Sequence, residues 1–567
     1  MTRTIDRLGV FLLAAALLLP VGDAPWYSFW REWTASLAAF LIVLAAINSI
    51  RERGLPLLFP VRSLAVVAVG LGFLCWVQFG VGLVPYRSDA LLPSLYFIGF
   101  AACMLVAGSL PQPDRDALLD RVAAGLLLAA LLSVPMAVLQ WVGWLRLDLD
   151  MPVAGGRPVA HMEQANLLCS LMIQGGIGAW RLAARGRLSP RLAELLCVPI
   201  LLTIVLTQSR VAWLAALVLV CIVIWRRRVL VWPRHGILLL VAMLLLVIGT
   251  VLLPWIDGQL GLKGAALSER ISEGRRPTAW ALFLDAALAH PWVGWGVLQN
   301  GTAQFALADH HPSLGYSFSS AHNIVLDLMV WFGIPVGMLA AAVLFWGLGR
   351  RLSRAPNAAT LATAFGATAL ALHALVEFPL HYAYFLLPLG LYFGATTTQR
   401  DPGKSHIMRV PTNSRALIPA LSVTSALALA LLGREYIRIT DVRPALWVDK
   451  ETRHLVLGAD FPVPEVLLLD QLRAYHALAA LPLAPTVPTT ELDAARIAMQ
   501  RTPFSVSIER YALLAGINGR DADARDALRR VCKFETPRQC ARSLYAWGIW
   551  RQQWQELPEV HESAPLD

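Results

Sequence analysis

The stretch SSAHNIVLDLMVWFGIPVG, residues 319–337, places His322 and Asn323 directly before a long apolar run. An imidazole with an ordinary pKa near 6.5 can take a proton from an attacking hydroxyl at neutral pH. Other polar stations have similar settings. GGRPVAHMEQANLL (155–168) carries Arg157, His161, Gln164 and Asn166, and TQSRVAW carries Arg210 between two apolar runs. Arg270, Arg275 and Arg276 precede PTAWALFLDAALAHP, while VEFPLHYAYFLLPLG (376–390) supplies Glu377, His381, Tyr382 and Tyr384. Fixed guanidiniums bind phosphate oxygens through paired donors and neutralise charge as a diphosphate departs. Amide side chains orient sugar or acceptor groups. Together these residue types fit transfer from a pyrophosphate-linked donor. No Asp/His/Cys ligand cluster or DxD-type pair accompanies them, so neither a metal nor another cofactor is expected.

Each residue also has a plainer reading. Arginines at membrane borders snorkel to headgroups, tyrosines there form aromatic belts, and Gln164 or Asn166 can hydrogen-bond between helices. Glu377 can pair with His373 one helical turn earlier. Their joint presence on one face is what argues for a site.

The elements that must hold them are membrane helices. The 567 residues are 57% hydrophobic and 15% charged, with a mean hydropathy of +0.57. Soluble domains carry about 25% charged residues. Apolar windows mark thirteen spans: 8–22, 34–50, 62–82, 90–110, 120–144, 165–181, 192–208, 211–225, 236–256, 323–348, 359–378, 382–398 and 415–432. The first resembles a signal-peptide core, but no small-residue cleavage site follows it, so it reads as a retained short span. If the chain starts inside, the inner segments hold twenty-two Arg and Lys and the short outer loops five: Arg31, Arg87, Arg146, Arg157 and Arg210. That bias orients the protein and accounts for its net charge of +10, so no nucleic-acid partner is inferred. Residues 257–322 then form a long outer loop with a helix over 277–291, too short to cross and suited to lying at the interface.

The expected fold is an all-α polytopic bundle of about 12–13 spans. Residues 1–432 form the transmembrane domain, and 433–567 form a helical soluble domain on the outer side. Cys75, Cys103, Cys169, Cys197 and Cys221 fall in spans. Cys532 and Cys540 lie in the tail, either as a disulfide or as two buried thiols.

The GR…Q-A-N stretch at 156–166, R-R-x-x-x-W at 275–280 with P-W-V-G-W-G, A-H-N at 321–323 and E-F-P-L-H-Y-A-Y-F-L-L at 377–387 carry a resemblance. Over about residues 150–395 the chain resembles the bacterial O-antigen ligase and polymerase superfamily, most closely the PglL-type protein O-oligosaccharyltransferases. The resemblance implies metal-independent transfer of a whole glycan from undecaprenyl diphosphate to a hydroxyl, at the periplasmic face of the inner membrane. By motif, His322 matches the essential loop histidine, Arg276 the arginine before tryptophan, Gln164 the glutamine before the sixth span and Arg210 the S-R at a span boundary. Tyr382, with Tyr384 competing, matches the tyrosine after P-L-x. Arg157, Asn166, Arg275, Asn323 and Glu377 are the remaining candidate substrate contacts. Many relatives read G-N-F-G-Q-x-N-H where this chain reads A-H-M-E-Q-A-N-L. The expected acceptor is Ser or Thr of an exported protein such as a pilin. Lipid A–core and a growing polysaccharide are alternatives, and a transporter or flippase is a reading of another class.

Overall fold

The computed structural model describes residues 2–20, 22, 25–60, 64–145, 157–230, 234–262, 276–396, 407–410, 417–442 and 462–559. Backbone groups within lipid must be satisfied inside their own segment, and the apolar runs accordingly form helices. In order these are α1 Thr2–Ala16, α2 Phe29–Glu52, α3 Leu64–Gly80, α4 Arg87–Ser109, α5 Gln112–Trp141, α6 Ala165–Ala184, α7 Pro190–Thr207, α8 Arg210–Trp225 and α9 Arg234–Gln259. Then come α10 Arg276–Ala289, α11 Asn300–Leu307, α12 Ile324–Phe332, α13 Ile334–Arg354, α14 Ala358–His373, α15 Ala383–Ala395 and α16 Leu417–Asp441. The tail adds α17 Asp470–Ala480, α18 Thr489–Arg501, α19 Ser505–Ile517, α20 Asp521–Val531 and α21 Pro537–Gln553. Among the described residues eight helices are long and apolar enough to cross a membrane, and α3, α8, α14 and α15 are shorter apolar helices. The protein is an all-α, multi-pass membrane protein. One small ribbon interrupts the pattern, with β1 Leu57–Pro60 antiparallel to β2 Ile407–Val410.

One expected span is corrected. Residues 323–348 are not one helix, because the helix breaks at Gly333 (φ 82°). Backbone from the preceding loop crosses at that point: Trp295 N–H donates to Val330 O at 2.7 Å, and Ile334 N–H to Pro291 O at 2.7 Å. A Cβ on Gly333 would lie 2.4 Å from Trp292 O, so only glycine fits both the conformation and the space. The second boundary to move is α2, which begins at Phe29 rather than near 34 and takes Arg31 and Glu32 into its first turn.

The chain divides into two compact units. The first comprises Met1–Leu71, Leu95–Gly274 and Ala340–Leu429, with α6 enclosed by α5, α7 and α14. At one end of it Arg121 pairs with Asp6, Arg53 with Asp114 (2.5 Å) and Arg181 with Asp120 (2.8 Å). Arg226 donates there to the carbonyl of Ala355 at 2.5 Å, and the β-ribbon forms. Each of these contacts joins two segments that the basic-residue alternation assigns to the same, Arg-rich side.

The second unit comprises Gly72–Ser94, Arg275–Leu339 and Ala430–Asp567. The tail helices share one apolar core with Phe305 and Ala308. The Asp470 carboxylate accepts from the N–H groups of Arg87 and Ser88, both at 2.8 Å. Buried Asp89 takes both arms of Arg501, at 2.7 and 2.9 Å. Three stretches expected on the outer side are therefore fastened together. Cys532 and Cys540 form a disulfide, and the other five cysteines are not disulfide-bonded.

Candidate active site

In the second unit, the local sequence builds a corner around His322. Asn323 caps α12, its side-chain oxygen accepting from Val325 N–H (3.0 Å) and Leu326 N–H (3.4 Å). That capping leaves the Asn323 –NH2 for other contacts. One turn into the helix, Asp327 is 1% exposed and acts as an anchor. Its carboxylate accepts from Ser320 Oγ (2.6 Å), Ala321 N–H (2.7 Å) and Asn300 Nδ2 (2.9 Å). Ser320 Oγ in turn accepts the His322 N–H at 3.0 Å. With its backbone held this way, His322 sits in the left-handed region at φ 53°. For a residue with a Cβ that costs about 1–2 kcal/mol, so the surroundings must impose it. The half-buried ring meets Phe318 edge-on at 5.3 Å, and Phe318 stacks on Tyr316 at 4.3 Å. Arg276 is the first residue of α10, which packs against α12 within this unit. Arg270 and Arg275 lie outside the described residues.

In the first unit, the segment entering α6 is pinned from several sides. Gln140 on α5 accepts from Val159 N–H (3.0 Å) and Ala160 N–H (2.7 Å). Arg157 donates to Thr207 O (2.6 Å), at the end of α7, and to Asn166 Oδ1 (3.0 Å). Asn166 also receives Ser209 Oγ (2.8 Å) and donates to Glu377 Oε1 (2.7 Å). Three of the expected residues thus form one hydrogen-bonded chain, Arg157–Asn166–Glu377. His373, one helical turn before Glu377, accepts the Glu377 N–H on its carbonyl at 2.9 Å, and Ser170 Oγ lies 2.6 Å from its Nδ1. Arg210 opens α8 and is exposed, one residue beyond the Ser209 cap. Gln164 is the N-cap residue of α6. Its side-chain amide makes no hydrogen bond among the described residues and is half-exposed.

A buried group that the sequence reading passed over stands beside them. Arg31, 1% exposed, bonds the His161 carbonyl and the Glu163 carboxylate. Its neighbour Glu32 receives Trp26 Nε1 (2.9 Å), Ser28 Oγ, Tyr96 OH and the Ala383 N–H that opens α15. Tyr382 lies within electrostatic reach of Glu32, Glu163, Arg31 and Glu377 and stacks on Tyr384 at 5.1 Å. Burial, and then the Arg31 cation, depress the His161 imidazole below its ordinary value. Burial raises the Glu163 carboxyl despite Arg31 beside it. Among the described residues no three His, Cys, Asp or Glu are gathered as metal ligands.

Comparison with known proteins bears on this arrangement. The family described as O-Antigen ligase matches residues 195–341, and the one described as virulence factor membrane-bound polymerase, C-terminal, matches residues 366–536. The chain is similar to a ComP-specific O-oligosaccharyltransferase of Acinetobacter baylyi, 23% identical over 395 residues, 69% of this chain and 70% of the relative. It is 30% identical over 526 residues to a general O-oligosaccharyltransferase of the same organism, covering 89% of this chain and 87% of the relative. The chain belongs to the O-antigen ligase superfamily. It is an oligosaccharyltransferase, and hence a glycosyltransferase.

Two departures of this oligosaccharyltransferase from the G-N-F-G-Q-x-N-H pattern acquire a physical meaning. The pattern's glycines correspond to Ala160 and Glu163, and both residues have left-handed backbone, φ 46° and 59°. The positions keep a conformation natural to glycine while carrying side chains, and Arg31 binds one of those side chains. The sequence did contain a signal for the missed group: the charged pair Arg31–Glu32 in WREW, set against an apolar run. Read as a loop arginine, Arg31 counted only toward orientation.

Proposed function

We propose that this enzyme moves a preassembled glycan from undecaprenyl diphosphate to Ser or Thr hydroxyls of exported, pilin-like proteins at the periplasmic face of the bacterial inner membrane. His322 takes the proton of the acceptor hydroxyl as its oxygen attacks the anomeric carbon. The bond from that carbon to the diphosphate breaks, and undecaprenyl diphosphate leaves with the electron pair. Arg276, with Arg275, Arg210 and Arg157, neutralises the charge that develops on the phosphates. Gln164 presents its amide to the donor sugar, with Asn166, Asn323, Glu377, Tyr382 and Tyr384 shaping the surroundings. No metal is required, because the guanidiniums supply the positive charge.

The observation that carries the reading is the His322 corner. A histidine serving only to fill space does not need an unfavourable φ enforced by three donors on a buried carboxylate. The same-side fastening of residues 82–94, 276–322 and the tail, together with a disulfide in the tail, supports an outer, oxidising location. The names of the two relatives support a protein acceptor. A second reading, an O-antigen ligase acting on lipid A–core, draws on the family matching residues 195–341.

Reconstitution decides between them. Purified enzyme in liposomes is given a lipid-diphosphate glycan and two competing acceptors, a pilin and a lipid A–core. Glycan should appear on pilin, while exclusive transfer to lipid A–core would establish the second reading. EDTA should leave turnover unchanged, and inhibition reversed by a divalent ion would contradict the arginine mechanism.

A further inference from the structure

We propose that the tail segment 529–535, closed by the Cys532–Cys540 disulfide, is a positioning element for the reaction: it clasps the loop 309–315 and so sets the placement of His322. The inference rests on His322 being the base.

The clasp is dense. Ser313 Oγ lies 3.0 Å from the Cys532 carbonyl and 3.3 Å from those of Lys533 and Glu535. The N–H groups of Leu314 (3.2 Å) and Gly315 (3.4 Å) both donate to Lys533 O, and Lys533 Nζ returns a bond to His311 O at 3.1 Å. Asp309 receives Arg529 at 2.9 Å and Arg530 at 3.2 Å. Arg530 also donates to Phe305 O (3.2 Å) and lies over the Phe305 ring at 4.8 Å. A loop in which five of seven residues bond to one short tail segment is held far more firmly than solvent contact requires.

From the clasp a continuous path leads to the imidazole. Gln304 spans the stretch just past it, donating to Tyr316 O (3.0 Å) and accepting from Phe318 N–H (2.7 Å). Tyr316 stacks on Phe318, and Phe318 meets the His322 ring. Asp327 fixes the histidine's backbone, and this path fixes what its ring leans on. The disulfide, spanning eight positions, joins the end of α20 to the first turn of α21. It thereby keeps the three carbonyls at 532, 533 and 535 facing one hydroxyl. Chain entropy favours such a closure even when each hydrogen bond is weak.

A positioning role and a purely structural one predict different kinetics. With the lipid-linked glycan and a peptide acceptor, Ser313→Ala should lower kcat about tenfold or more, as small misplacements of a reacting group do, with KM for both substrates little changed. The protein's thermal midpoint should stay near the parent's, and Ser313→Thr, which keeps the hydroxyl, should recover most of the rate. The paired change Cys532→Ser with Cys540→Ser should reproduce the kcat effect. Parent-like turnover in Ser313→Ala, or a loss seen only in KM, overturns the clasp. His322→Ala separates the two ideas. If it still turns over, the base assignment falls whatever Ser313 does. If it is dead while Ser313→Ala matches the parent, only the clasp falls.

Discussion

Asp327 shows how much can depend on a single buried acid. In the sequence it is one acid in an apolar run, indistinguishable from a stray polar residue in a span. In the structure it anchors three donors and, through Ser320, the His322 backbone. Asp327→Asn replaces one acceptor oxygen with a donor that would face Ser320 or Ala321, so the left-handed corner should relax. We expect kcat to fall by roughly ten- to a hundredfold, with normal membrane insertion and little change in donor KM. Unaltered kcat would mean that the corner is incidental. Arg276 poses a different question, that of shape against charge. Arg276→Ala should nearly abolish transfer, and Arg276→Lys should restore only a small part, because a point charge cannot replace a two-armed donor. Full activity in the lysine variant would reduce the role to charge alone. Arg157, Asn166 and Glu377 are legible in the sequence as separate polar stations, since each type is conspicuous near apolar runs. The link from Asn166 to Glu377 and the role of Arg31 are not legible there, because partners 211 and 130 positions apart leave no trace in local spacing.

Helices were the most legible level. Among the described residues each expected span is mostly helical, 323–348 as two helices rather than one, because long apolar runs have few other ways to satisfy their backbone in lipid. Interruptions within a span were not legible. Gly333 sits among residues as apolar as those on either side, and the cause of the break is a loop some forty residues earlier, crossing at Trp292–Trp295. Gly333→Ala therefore tests the break directly. A methyl group 2.4 Å from a carbonyl oxygen must displace the Pro291–Trp295 backbone. The variant should be poorly expressed or, if it folds, should lose the Trp295–Val330 hydrogen bond, seen as faster amide exchange at Trp295. Wild-type exchange and yield would show that the break tolerates a side chain. The disulfide lies between these cases. Composition placed two cysteines near each other in the tail, and only the packing of α20 against α21 decides that they bond.

At the scale of the molecule, the tail is a helical body with its own titration behaviour. Burial, reinforced by the charge of Glu535, pushes the Glu509 carboxyl up from 4.5 to about 7, while burial drives the His476 imidazole down from 6.5 to about 4. The folded tail keeps the Glu509 proton where the unfolded chain releases it. That contribution is complete below pH 4.5 and lost as pH rises to about 7. His476 behaves oppositely: its contribution is complete above pH 6.5 and lost as pH falls to about 4. In the parent the two slopes offset each other over the shared range. Glu509→Gln should leave a tail whose stability rises between pH 4 and 6.5, and His476→Phe one whose stability falls between 4.5 and 7. Hydrogen exchange over residues 470–553 in the full-length protein reads both, and parallel profiles for the two variants would refute the assignment. One further consequence concerns how copies of the enzyme are made. Asp89 emerges early in synthesis, yet the arginine that satisfies it, Arg501, is translated more than four hundred residues later. Leaving a buried acid without its partner costs about 3–5 kcal/mol, so a prematurely released polypeptide carries a built-in defect near its beginning. Chains truncated before Arg501 are therefore expected to be degraded faster than those that contain it, which a pulse-chase of truncated variants would read.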